Sequence, residues 1–205
     1  MRTHCGRALA VMLVTATAVA ASALGASASR LSISNRSIRV TYSALSIGNA
    51  SESTRCPVTL EGSFHSATIS KGVLGSIGVI TRATAGTCSS GRVVMLAETL
   101  PWHIYYLGFS GTLPNITQIQ LQINFVSFSW TGWFTCLYEA AGGEALDINA
   151  NRNTSTAQLT SFDPAGFLNT IIGRGAFCTG GSVVLNGRGV LTVTGTGEGV
   201  FLRLI

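Results

Sequence analysis

Glu61, Ser63 and His65 stand at alternate positions in the stretch CPVTLEGSFHS, residues 56–66. A carboxylate, a hydroxyl and an imidazole are the groups of an acid, nucleophile and base set, provided that serine and histidine converge to about 2.6–3.2 Å. On one extended strand, alternate residues lie about 6.6 Å apart with side chains nearly parallel. Such a strand does not readily bring them together. The chain also lacks a GxSxG elbow that would strain a serine into an exposed position. A hydrated strand face is therefore the first reading, and a secreted hydrolase using Ser63 and His65, or Glu61 with a distant carboxylate, is a rival. His103, with His65 and either Glu61 or Glu98, holds the residue types of a metal site, but the ligands would come from separate strands. The sequence calls for no metal and no other cofactor.

Trp102, Trp130 and Trp133 are the second set with chemical potential, and WTGWF at 130–134 places two of them beside a glycine turn just before Cys136. Exposed, these rings would stack on a sugar or a peptide. Buried, they would form a core cluster around a disulfide, which is the more usual fate of tryptophan. The glycines at 72, 75 and 78 lack both the GxGxxG arrangement and the Gly-Lys-Ser/Thr ending of a phosphate loop, so nucleotide binding is not supported.

The elements that would position these residues are strands. In SIRVTY, Ile38, Val40 and Tyr42 alternate with Arg39 and Thr41; Val58, Leu60 and Phe64 alternate with Thr59, Glu61, Ser63 and His65. RVVMLAE and PWHIYYLGF read as further strands, with a turn signal at 111–115. In NITQIQLQINFVSFSW, Ile119, Leu121, Ile123 and Phe125 alternate with glutamines, and then the phase reverses through Val126, Phe128 and Trp130. The reversal implies a bulge near Phe125 or a passage from one sheet to another. Val73, Leu74, Ile77 and Ile80 have roughly helical spacing, so residues 70–81 hold the one short helix expected. Residues 139–164 read as a polar connection with one short strand near 158–162. Asn186-Gly187 is a hairpin signal, and a final strand runs to the C-terminus after a glycine turn. Together these indicate an all-β domain: a single antiparallel sandwich or barrel with at most one short helix.

The first residues give the compartment. Arg2 and Arg7 precede an uncharged run from Ala8 to Leu24, and Ala26-Ser27-Ala28 suits signal peptidase, with Ala21-Ser22-Ala23 as an earlier alternative. The run is short for a membrane span of about 20 strongly apolar residues. The expectation is a signal peptide at 1–28 and a secreted domain at 29–205, with no membrane span left after cleavage. Loss of Arg2 and Arg7 lowers the formal charge from +5 by two, too little and too scattered for a nucleic-acid partner. Loss of Cys5 leaves Cys56, Cys88, Cys136 and Cys178, an even set in an oxidising place, and hence two disulfides. Of the three pairings, Cys56 with Cys88 and Cys136 with Cys178 is preferred. Glycosylation triplets begin at Asn35, Asn49, Asn115 and Asn153; twelve arginines and one lysine fit a GC-rich bacterial genome, in which such triplets usually carry no meaning.

SIRVTY, CPVTLEGSFHS, LPWH at 100–103, TLPNIT at 112–117 and CLY at 136–138 resemble a group of uncharacterised exported proteins of high-GC Gram-positive (actinobacterial) bacteria. The resemblance implies secretion and a single β domain, and supplies no catalytic residue. The leading expectation is a non-enzymatic exported β-domain acting by surface contact in the cell envelope or outside it; the sequence identifies no partner, and a glycan or another envelope component is the candidate. A carbohydrate- or cell-wall-binding module using the three tryptophans is the nearest alternative.

Overall fold

The computed structural model describes residues 30–48, 53–70, 72, 75–112, 115–133, 135–139, 144–149, 156–160 and 183–204. They form strands β1 (Arg30–Ile33), β2 (Ser37–Gly48), β3 (Ser53–Phe64), β4 (Thr68–Ser70), β5 (Ser76–Ala85), β6 (Arg92–Met95) and β7 (Trp102–Thr112). There follow β8 (Asn115–Asn124), β9 (Ser127–Thr131), β10 (Thr135–Glu139), β11 (Glu144–Asn149), β12 (Thr156–Thr160), β13 (Val184–Val193) and β14 (Leu202–Leu204). Of the two architectures expected, the barrel is the one formed. Strands β2, β3, β5, β7, β8, β11, β12 and β13 close on themselves in chain order, each antiparallel to its neighbours. Closure removes the unpaired edges that an open sheet would expose. Two three-stranded sheets, β14-β1-β4 and β10-β9-β6, add to the same apolar core.

The alternation read from the sequence sorts side chains between the two sides of the wall. Ile38, Val40, Tyr42, Val58, Leu60, Ile104, Ile119, Leu121, Ile123, Leu191 and Val193 are buried, while Arg39, Thr41, Thr59, Glu61, Gln118, Gln120 and Arg188 lie toward solvent. A membrane-spanning barrel carries an apolar band about 25 Å tall on its outside; the described side chains of this wall have the opposite sense. Among the described residues no helix is long and apolar enough to cross a membrane.

Four expectations are corrected. The helix expected over 70–81 is replaced, from Ser76 on, by β5. Against β7, Ser76 pairs with Tyr105 and Gly78 with Ile104, so Ile77 is an extra residue. That bulge lets Ile77 and Ile80, three apart, both be buried in a strand. The helical structure among the described residues is one 3-10 turn at Ala97–Thr99. Asn186-Gly187 is no hairpin, but the middle of β13. A Cβ at Gly187 would come within 2.9 Å of Leu45, and one at Gly189 within 2.9 Å of the Thr41 carbonyl and the Tyr42 ring. These glycines let β13 approach the bulged part of β2, between Tyr42 and Leu45. Finally, the polar connection after Glu139 contains β11 as well as β12, and β12 starts at Thr156, ahead of the expected 158.

Other expectations hold. The phase reversal after Phe125 is a passage between sheets: β8 belongs to the barrel, β9 to the small sheet, and Phe125 between them has a φ of 69°. The C-terminal strand is tied in by pairing of β14 with β1. Cys56 and Cys88 form the expected disulfide. Cys136 is disulfide-bonded as well; Cys178 lies outside the described residues, as do the signal segment 1–28 and Phe134 of the tryptophan cluster.

Tyr42 lends the interior a testable property. Its hydroxyl is buried and has no hydrogen-bond partner, and burial pushes its phenol far above the ordinary tyrosine range. An unpartnered buried hydroxyl costs about 1–3 kcal/mol. Tyr42→Phe is therefore expected to leave neutral-pH stability unchanged or to raise it by up to about 2 kcal/mol in urea unfolding. Below about pH 10 the phenol is neutral in the folded and unfolded chains alike; above it only the unfolded chain ionises, removing about 1.4 kcal/mol of stability per pH unit. The phenylalanine variant should lack that part of the alkaline loss. A drop of more than about 1 kcal/mol at neutral pH would mean that the hydroxyl has a partner after all.

Candidate functional site

The barrel register decides what the acid, serine and histidine set can do. Arg39, Glu61 and Arg82 are directly opposite one another across β2, β3 and β5. One Glu61 carboxylate oxygen accepts hydrogen bonds from Arg39 Nε at 2.7 Å and Nη2 at 2.6 Å, and the other faces Arg82 Nη1 at 3.5 Å. Glu61 is thus engaged by two guanidinium groups on the outer wall. The pairs are partly exposed, a setting in which each is worth about 0.2–1 kcal/mol. Arg39 and Arg82 were not singled out from the sequence, because cross-strand partners depend on register.

Ser63 belongs to the next row, Ser37, Ser63, Val79, His103 and Asn124, which crosses β2, β3, β5, β7 and β8. Val79 separates Ser63 from His103, so their backbones are two strand spacings apart, about 9.6 Å. His65 follows the end of β3, is exposed, and has its ring nitrogen 3.3 Å from the hydroxyl of Ser76, not bonded to Ser63. His103 lies beside the rings of Tyr105 and Phe125, each with its centroid 6.3 Å away. Glu98 is exposed in the 3-10 turn. No group of three metal-ligating side chains occurs among the described residues.

The tryptophans divide, and two of the three expected binding rings are corrected. Trp102 is 1% exposed in β7 and donates its indole N–H to Thr99 Oγ1 at 2.9 Å. Trp130 is 6% exposed, with its ring 6.4 Å from that of Tyr138, which in turn stacks on Phe128 at 5.1 Å. Both fall on the inward phase of their strands, so neither offers a ring to a ligand. Trp133 does. It is 94% exposed in the turn joining β9 to β10, where the hydroxyls of Thr131 and Thr135 meet at 3.0 Å. A turn held by a five-residue ladder presents the indole on a supported tip.

Sequence reading missed a groove of about 630 Å³ lined by Ala83–Cys88 and Gly91–Met95. Strand edges shape it, and edges are a product of pairing that side-chain patterns do not reveal.

Fold and site define a class: an eight-stranded antiparallel barrel with an apolar interior, a polar outer wall and a disulfide staple. Compared with known proteins, the chain has no significant match to a family model, a curated protein or a solved structure.

Proposed function

We propose that this protein is a non-enzymatic β-barrel domain, exported after removal of residues 1–28, that acts by surface contact in the cell envelope or the extracellular space. It would be of the kind found among the exported high-GC Gram-positive proteins that its sequence resembles. The observation that carries this reading is the engagement of Glu61 by Arg39 and Arg82 while His65 meets Ser76, so that among the described residues no acid and base are poised on Ser63. The Cys56–Cys88 bridge supports an oxidising compartment. A second bridge from Cys136 to Cys178 completes the proposal. Host-cell fractionation with N-terminal sequencing, and peptide mapping without reductant, test it: the mature chain should begin at Ser29, outside the cytoplasm, with Cys136 and Cys178 in one linked pair. Full-length chain retained in the cytoplasm would refute export.

A carbohydrate-binding reading is favoured by the exposure of Trp133. Residues 29–205 should be retained on purified cell-wall glycan, and Trp133→Ala should weaken retention by about tenfold, the effect of losing about 1.4 kcal/mol of stacking. Because the side chain is solvent-exposed, thermal stability should change by no more than about 0.5 kcal/mol. Equal retention of both proteins would remove sugar stacking and leave other surface contacts.

A further inference from the structure

Phe125 combines backbone strain with exposure. Its φ of 69° lies in the left-handed region, where a bulky side chain is a genuine outlier and glycine or asparagine is at ease. The passage from β8 to β9 uses that backbone but has no need of a phenyl ring, and the ring is 53% exposed, so burial does little to offset the strain. Strain left uncompensated by packing points to a use for the ring itself.

Its neighbours extend it into a platform on the outer wall. The His103 ring lies 6.3 Å from the Phe125 ring at 80° and 6.3 Å from the Tyr105 ring at 42°, so neither is stacked flat upon it. His103 and Tyr105 are half-buried, and their side chains make no hydrogen bond among the described residues. Asn124, directly opposite His103, holds its Oδ1 buried without a partner. The amide torsion is soft, so a donor from outside can draw that oxygen outward without breaking an existing bond. Two rows meet here, Ser76-Tyr105-Gln122 and Val79-His103-Asn124, and across β5, β7 and β8 neither carries a charged residue. The exposed His65 prolongs the first row, with its ring nitrogen 3.3 Å from the Ser76 hydroxyl. At Tyr105 and Gln122 both edges of each strand are taken by ladders, so no peptide can add itself here as a further strand. Side chains alone must hold a ligand.

We infer that this platform binds a neutral oligosaccharide, whose sugar rings pack their C–H faces on Phe125 and Tyr105 while their hydroxyls bond the His103 imidazole and the Asn124 amide. Rings interleaved with uncharged donors and acceptors match a ligand that is apolar on its faces and polar at its rim; a charged polymer would find no counter-charge on either row. The site rests on the carbohydrate-binding reading for its ligand class, and it lies at the other end of β9 from Trp133.

The test titrates residues 29–205 with chitohexaose, cellohexaose and maltohexaose, all neutral, and follows the backbone amides by NMR. At least one sugar is expected to bind with a Kd below about 1 mM, moving the amide signals of His103, Tyr105, Asn124 and Phe125. Anionic hexagalacturonate should bind at least about tenfold more weakly. Phe125→Gly should also weaken binding about tenfold, a loss of about 1.4 kcal/mol, yet leave the thermal midpoint unchanged or higher, because glycine adopts a φ of 69° freely. Tyr105→Ser should weaken binding as well, which keeps the test informative if glycine loosens the passage between sheets. Silence of the four signals toward all three neutral sugars, equal binding of hexagalacturonate, or undiminished binding by both variants overturns the platform. Binding lost in Trp133→Ala but kept in Phe125→Gly would also overturn it, while leaving the glycan reading at the β9–β10 turn in place; the reverse pattern supports the platform and removes that turn.

Discussion

Replacing Leu121 by alanine is expected to cost about 2–5 kcal/mol of unfolding free energy, whereas Gln120→Ala should move it by no more than about 0.5 kcal/mol. The two residues are neighbours in β8 with the same backbone environment. Leu121 is 1% exposed and stands opposite Tyr106 of β7 and Leu146 of β11; Gln120 stands toward solvent opposite Gly108 and Asp147. Removing the leucine side chain forfeits its transfer energy and leaves a cavity that a closed barrel wall is poorly able to collapse around. Urea unfolding of the two variants checks this. Similar costs at both positions would mean that β8 is out of register or that the interior is wet, and the architecture derived from alternation would fail with it.

Loss of the Cys56–Cys88 bridge, by substitution of both cysteines with alanine, is expected to lower stability by about 3–4 kcal/mol. The bridge joins positions 32 residues apart, and in the chain-entropy account closing a loop of that size removes about that much freedom from the unfolded chain. The native state should change little at first, because Ser89 and Ser90 still bond Arg55 and Thr54. Guanidinium unfolding of the double variant beside the native protein, both without reductant, measures the effect. A difference below about 1 kcal/mol would place the bridge as local decoration and not as a brace of the unfolded ensemble.

Strands with strict alternation were legible in the sequence: SIRVTY, VTLEGSF and ITQIQLQIN bury the residues expected of them. So was the change of sheet after Phe125, since a phase reversal has few geometric solutions. What escaped was structure decided by partners at long range. β11 is short and set among glycine, asparagine and alanine, and its place is given by ladders to β8 and β12 more than by its own pattern. The helical spacing read over Val73, Leu74, Ile77 and Ile80 is, for Ile77 and Ile80, reproduced by one bulge in a strand, while Val73 and Leu74 lie outside the described residues. Asn186-Gly187 carries the composition of a turn, yet packing against Leu45 and Tyr42 explains its glycine better. At the candidate site, Trp133 was legible as a ring beside a glycine turn, but its separation from Trp102 and Trp130 was not. That separation depends on which strand phase faces inward, a property fixed only when neighbouring strands have paired.

Closure of the barrel also sets an order of events during the chain's manufacture. Its seam joins Ile38 to Val193 and Tyr42 to Gly189, so the earliest barrel strand to be synthesised has one edge sealed by the last. Contacts so remote along the polypeptide form late and slowly, because the intervening length must be gathered first. Until β13 has been made, the nascent wall stays open on that side. A chain threaded outward through a membrane pore in extended form would meet no finished barrel resisting its passage, and the ring would be completed on the far side.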